Sequence, residues 1–222
     1  MISRSRYMLL NAYHILIDGL FDSIPILLAF MILTFDVNES AVGLIVSLGT
    51  ALGTAAGLGT LVLARTLKFT HITALVTAVY GAGFVAAAFS GGIMSAGICF
   101  ALAMTGHSIF HNISFSYITR NTERQKLGRV MGDFIAIGDV GRIPLVSLAA
   151  FAAAYTFAGL PGWKLVCFCY GAIALCAALG LLPMQDEDAP QKTDPCEKKT
   201  IPPLFCPAER TGRSALHAGK RA

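Results

Sequence analysis

The stretch Asn11-Ala-Tyr-His-Ile-Leu-Ile-Asp-Gly-Leu-Phe-Asp22 decides how this chain is read. It lies inside an apolar run from about Tyr7 to Phe35. A run of that length can cross a bilayer, which takes roughly 20 apolar residues of helix. Yet it carries His14, Asp18 and Asp22. Their i, i+4, i+8 spacing puts all three on nearly one face of a helix. A carboxylate turned toward lipid is costly, so that face must look into protein or a water-filled cavity. The expectation is that other helices surround this face and that it carries ion or substrate chemistry.

Working outward, the whole chain is apolar. Of 222 residues, 55% are hydrophobic and 14% charged, and the mean hydropathy of +0.65 lies far above that of an ordinary soluble domain. Almost half of the charged residues fall after Pro183, so the remainder is more apolar still. Six segments emerge at about 7–35, 41–64, 70–90, 92–118, 129–157 and 163–182. Each suits a helix, because every backbone N–H and C=O must be satisfied within a segment that spans hydrocarbon. Asp36-Val-Asn-Glu-Ser40 offers an N-cap for the second helix. Gly91-Gly92 and Gly159-Leu-Pro-Gly162 mark two further breaks. The reading is an all-α, polytopic membrane domain over 1–183, followed by a polar tail over 184–222. The tail is rich in Pro, Lys, Asp and Glu and is expected to be disordered, because it has little apolar surface to bury. The first segment is too long, and too interrupted by charge, for a cleaved signal.

Net charge is +4, with the bases scattered over loops and tail, which excludes a nucleic-acid footprint. Arg4 and Arg6 precede the first segment, Arg65 and Lys68 follow the second, and Arg120, Arg124, Lys126 and Arg129 join the fourth to the fifth. The intervening connections are nearly free of bases. By the positive-inside rule both termini are cytoplasmic, in a bacterial inner (cell) membrane. Four of the six cysteines, Cys99, Cys167, Cys169 and Cys176, sit in apolar runs, where Cys behaves as a small hydrophobe. Cys196, Cys206 and His217 match no zinc spacing.

The polar residues inside the apolar segments are the candidates for function. His14, Asp18 and Asp22 are expected to carry proton coupling, since a desolvated carboxylate beside a histidine can exchange a proton near neutral pH. The competing structural reading is a salt bridge, for example to Arg142. His107 and His111 lie one turn apart with Asn112 beside them, and read either as cavity and substrate contacts or as neutral histidines bonded within the bundle. Asp139 and Arg142, three apart, read as a structural pair. Gly49, Gly53 and Gly57 form a doubled small-residue repeat that lets a neighbouring backbone approach, either within the chain or from a second six-helix unit. Trp163 and Tyr155 fit an interfacial aromatic belt. A serine protease is excluded for want of a Gly-x-Ser-x-Gly turn. His14, Asp18, Asp22, His107 and His111 form a mixed nitrogen and oxygen set that a divalent ion would accept. A metal enzyme or metal carrier is therefore the alternative to a transporter, although no metal or other cofactor is assigned to any residue at this point.

The pattern resembles the amino-terminal half of a major facilitator superfamily transporter over about residues 7–183. The resemblance rests on six segments, cytoplasmic termini, a basic connection after the second segment, a Gly-rich fifth segment, and polar residues on the first and fourth. Gly59 and Leu61 match the family's loop signature, whereas Leu63 stands where the family has an acid and Arg65 is one position late. The stretch Gly138-Asp-Val-Gly-Arg-Ile-Pro144 is similar to a motif of some exporters. The resemblance implies two inverted three-helix repeats and secondary active transport of a small organic molecule coupled to protons, with no enzymatic activity. It also implies a partner, because such transporters have two halves. A parallel homodimer or a complementary six-helix half would complete one, and a nonfunctional fragment is the remaining alternative. Topology is directly testable. A cysteine at Asn38 should be labelled by an impermeant reagent from outside the cell and one at Asn121 should not, and the opposite pattern would invert the assignment.

Overall fold

The computed structural model describes residues 2–60, 63 and 67–183. The tail beyond 183, with Cys196, Cys206 and His217, lies outside the described residues, as do Leu61 and Arg65 of the loop signature. The described chain is almost entirely helical: α1 (Arg4–Phe35), α2 (Ser40–Leu58), α3 (Phe69–Ala88), α4 (Ile93–Asn121), α5 (Leu127–Gly141), α6 (Ile143–Ala153) and α7 (Gly162–Leu181). Helices α5 and α6 run on as one span, so six stretches are long and apolar enough to cross a membrane. This is the build of a polytopic membrane protein.

Local chemistry sets the boundaries. The Ser3 hydroxyl accepts from the Arg6 N–H at the start of α1. Asp36 closes α1 in the left-handed region, φ 51°, and its N–H returns to the Ile32 carbonyl. The expected cap on α2 comes from Asn38, whose Oδ1 accepts from the Ser40 N–H at 2.8 Å. Inside α1, Pro25 has no N–H for the Phe21 carbonyl. The fifth segment is one span, Leu127–Ala153, with Pro144 inside it. Pro144 cannot donate to the Val140 carbonyl, while Arg142 keeps both of its bonds, its N–H to the Gly138 carbonyl and its carbonyl from the Val146 N–H, each at 3.0 Å. The Gly159-Leu-Pro-Gly162 break holds a small hairpin, with Thr156–Phe157 antiparallel to Leu160–Pro161. Ala158 and Gly159 both take positive φ, the requirement of a two-residue turn that matches strand twist. Trp163, in the first turn of α7, is 1% exposed and donates from its indole N–H to the Thr34 hydroxyl at 2.9 Å. Its N–H needs a partner, and the end of α1 supplies one.

Packing between spans follows the glycines. The first span lies against α5 and α6, α2 against α4, and α3 against both α4 and α7. At the α3–α7 crossing, a Cβ on Gly81 would meet the Gly171 carbonyl at 2.8 Å, and one on Gly171 would meet the Gly81 carbonyl at 2.7 Å. The three glycines of α2 face α4. A Cβ on Gly53 would sit 3.1 Å from the Met104 carbonyl, and one on Gly57 would sit 3.1 Å from the Asn112 amide nitrogen. The face proposed for a second six-helix unit is thus occupied within the chain. Close approach lets backbones gain dispersion contact where lipid leaves no hydrophobic drive between helices.

Helices α2, α5 and α6 keep broad apolar faces outward, among them Leu44, Leu48, Leu52, Ile135, Val140 and Phe151. The buried core gathers instead around α1, α3 and α4, with Ile17, Tyr80, Phe84, Phe100 and Phe110 fully enclosed.

Filling the α2–α4 crossing should be costly. Gly53→Leu is expected to destabilise the fold by about 1–3 kcal/mol or more, since overpacking forces backbones apart. Gly43→Leu is the control, because nothing lies within 4 Å of a Cβ there. Thermal unfolding in detergent, followed through Trp163, measures both. Equal melting temperatures would contradict the crossing.

Candidate functional site

Asp18 is 4% exposed and His14 2%, and they meet across one turn of α1, with His14 Nε2 3.0 Å from Asp18 Oδ2. Helix α4 completes the cluster. His111 Nε2 lies 2.9 Å from Asp18 Oδ1, and His107 Nε2 lies 3.4 Å from the same oxygen. The two α4 histidines also face each other, Nε2 to Nε2, at 3.1 Å. Among the described residues every ion-pair partner of Asp18 is therefore an imidazole, and none is a lysine or arginine.

The third wall is the α5 backbone. His14 Nδ1 lies 3.1 Å from the Phe134 carbonyl oxygen, and the Phe134 ring stacks on His14 with centroids 4.0 Å apart. A carbonyl can only accept, so His14 Nδ1 carries a proton and donates it. A neutral imidazole has one N–H. If Nδ1 holds it, Nε2 presents a lone pair to the Asp18 carboxylate at 3.0 Å. Two acceptors at that distance require a positive charge between them, on one partner or bound by both.

The site depends on glycine at one further point. A Cβ on Gly138 would run into the His14 ring, so α5 can lie beside α1 with the imidazole between them only because Gly138 has no side chain. Gly141 makes the same room for Ile15. His107 stacks on Phe21 with centroids 4.0 Å apart. The α4 side of the cluster is the open one, with the His107 side chain 25% and the His111 side chain 19% exposed.

The structure brings together His14, Asp18, His107 and His111 and separates the other expected site residues from them. Asp22, one turn along α1, pairs with Arg142 at 2.8 Å, and Arg142 also reaches Asp139 at 3.0 Å. The expected Asp139–Arg142 pair is present, then, as part of a triad that includes Asp22. All three side chains are a third or more exposed. Asn112 donates to the Gly57 carbonyl at 3.1 Å and ties α4 to α2, away from Asp18. Sequence reasoning missed Phe134, whose contribution is a backbone carbonyl, and the steric role of Gly138 at His14. Gly138 stands out in the sequence only as part of the Gly138–Pro144 stretch of a Gly-rich fifth segment, and no periodicity distinguishes a carbonyl that receives a histidine. The tyrosines brace the bundle with hydroxyls on backbone carbonyls: Tyr13 on Ala177 and Tyr170 on Leu145. The fully buried Tyr80 hydroxyl has no hydrogen-bond partner among the described residues.

No family model, no curated protein and no solved structure matches the chain.

The two acids of α1 should respond differently to removal. Asp18→Ala leaves buried imidazoles without their carboxylate and is expected to cost on the order of 3 kcal/mol, the scale of a broken buried pair. Asp22→Ala breaks a partly solvated pair and is expected to cost less than about 1 kcal/mol. Denaturant unfolding in micelles compares them, and a larger loss in Asp22→Ala would reverse the assignment of the buried site.

Proposed function

We propose that this chain is a membrane transporter subunit, a six-helix unit of the major facilitator kind, which moves a small polar or amphipathic organic molecule by secondary active transport. The observation that carries the proposal is the Asp18 box. A carboxylate in the middle of a membrane span is by default a candidate for function, and a proton or a metal ion between His14 Nε2 and Asp18 would satisfy both groups. The coupling species is the cation that completes the box. Its arrival neutralises Asp18 and removes the cost of enclosing the carboxylate in a dry state of the protein. Its departure leaves a charged group that needs water or a polar ligand. Alternating exposure of the box to the two sides follows from that difference.

The helix pairing supports the fold assignment. The first span pairs with the fifth, the second with the fourth, and the third with the sixth. Exchanging the first three spans with the last three maps these three pairs onto themselves, as two related three-helix repeats would, whereas the close packing of the third span on the fourth has no equal between the sixth and the first. The α1 and α4 spans, which such an exchange makes equivalent, contribute the four side chains of the box. A second unit, from another copy or a complementary chain, would close the path on the side where α2 and α5 present apolar surface. Both termini lie on the cytoplasmic side in this reading, as the basic connections suggest. The Asp22–Arg142–Asp139 triad lies beyond the box toward the opposite side. Its exposed carboxylates suit a polar substrate on its way in or out.

Flux in proteoliposomes tests the proposal. With a panel of labelled small organic solutes and an imposed ion gradient, the wild type should accumulate at least one solute. Asp18→Asn should exchange that solute without accumulating it. Gradient-driven accumulation that is unchanged in Asp18→Asn, at equal protein amounts, would remove the box from the mechanism.

A further inference from the structure

We infer that the cation of the Asp18 box is a divalent first-row transition-metal ion, bound by His14 Nε2, His111 Nε2 and the Asp18 carboxylate. The inference rests on the reading of the box as a cation site and names the cation. The donor set makes the first argument. Two imidazole nitrogens and one carboxylate suit zinc, iron(II), cobalt(II) or manganese(II), whereas magnesium and calcium take oxygen ligands.

Distance makes the second. The three ligand atoms all lie within 4.8 Å of one another, and each imidazole lies within 3.0 Å of a carboxylate oxygen. Bonds of about 2.0–2.1 Å in tetrahedral geometry place ligand atoms roughly 3.3 Å apart. The side chains therefore need only small rotations to receive an ion.

The surroundings make the third. A metal-bound histidine needs its other nitrogen fixed by an acceptor, which sets the tautomer and aims the lone pair. The Phe134 carbonyl does this for His14. Phe134 and Phe110 cover the His14 ring and keep it in place, and the missing side chain of Gly138 leaves the ring its room. Bringing a nitrogen lone pair against a carboxylate oxygen is unfavourable with nothing between them, and a dication relieves it at both atoms.

The open side makes the fourth. Three protein ligands leave a further coordination position, the mark of a site that exchanges water or ligand. His107 flanks that side, 3.1 Å from His111 Nε2 and 3.4 Å from Asp18 Oδ1, with a quarter of its side chain exposed. It is placed to bond whatever fills the free position. An exchangeable site reached past one histidine suits an ion that is carried or that couples transport, rather than one locked in for structure.

The test is cobalt(II) and zinc binding to the purified full chain in nanodiscs after chelator treatment. Wild type should take up one ion per chain and, with cobalt, show visible d–d bands of a nitrogen and oxygen site without sulfur charge-transfer bands. That signature separates the box from any binding at Cys196 or Cys206. Asp18→Ala and His111→Ala should lose at least about 100-fold in affinity, beyond the 10–100-fold typical of changes to supporting residues. Glu123→Gln, on the exposed connection after α4, should bind as wild type does. Because Asp18→Ala lowers stability, His14→Gln and His111→Gln that elute as wild type does in size exclusion repeat the measurement in folded protein. Wild type that binds no ion, or Gln variants that bind it unchanged, would overturn the metal assignment. If metal fails while a pH gradient still drives accumulation through Asp18, the cation is a proton and the transport reading stands. If neither ion gradient acts through Asp18, the transport reading falls as well.

Discussion

Burial of one carboxylate organises this bundle. Asp18 is enclosed on a helix that runs through a membrane, where an unpaired charge would cost several kcal/mol. Long basic side chains do not answer it. Three imidazoles do, one from its own helix and two from α4. That choice has a physical consequence. A lysine or arginine would neutralise Asp18 permanently. An imidazole neutralises it only when it carries an extra proton, and when neutral it can donate one N–H to the carboxylate or offer a lone pair to a metal ion. The site is therefore built to be satisfied conditionally, which a purely structural ion pair is not.

The rest of the fold serves that enclosure. For His111 to reach Asp18, α4 must be held at a fixed depth, and its close crossings with α2 hold it there through Gly53 and Gly57. For His14 to be fixed at both nitrogens, α5 must run within hydrogen-bond distance of it, which Gly138 permits. Arg142, between α5 and α6, reaches both Asp22 and Asp139. The two acids of α1 thus have opposite surroundings one turn apart. Asp22 has a permanent cation and partial solvent, while Asp18 has neither.

Much of this was legible in the residues. Six spans follow from hydropathy, because a bilayer admits only segments that satisfy their own backbone. His14, Asp18, His107 and His111 stand out as ionisable groups in apolar runs, since such groups are rare there without a reason. The i, i+4 spacing places His14 on the face of Asp18, and His107 on that of His111. Local turn chemistry near Asp36, Gly159 and Pro144 is legible for the same reason: it depends on neighbours in sequence.

What the sequence determined, then, was local: which segments are helices in a membrane, and which side chains share a helical face. Tertiary structure alone decided which faces meet. It put Asp22 with Arg142 and Asp18 with three histidines, although the two acids look alike at one-turn spacing. It turned Asn112 toward α2, where the residue type suggested a cavity, and set the Trp163 N–H on Thr34. It placed the Phe134 carbonyl on His14, a contact that no residue type encodes because every residue has the same carbonyl. Helix periodicity is set by the backbone and can be read one residue at a time. The rotation and depth of one helix against another are set by where backbones can approach, and that depends on glycines from two distant segments acting together.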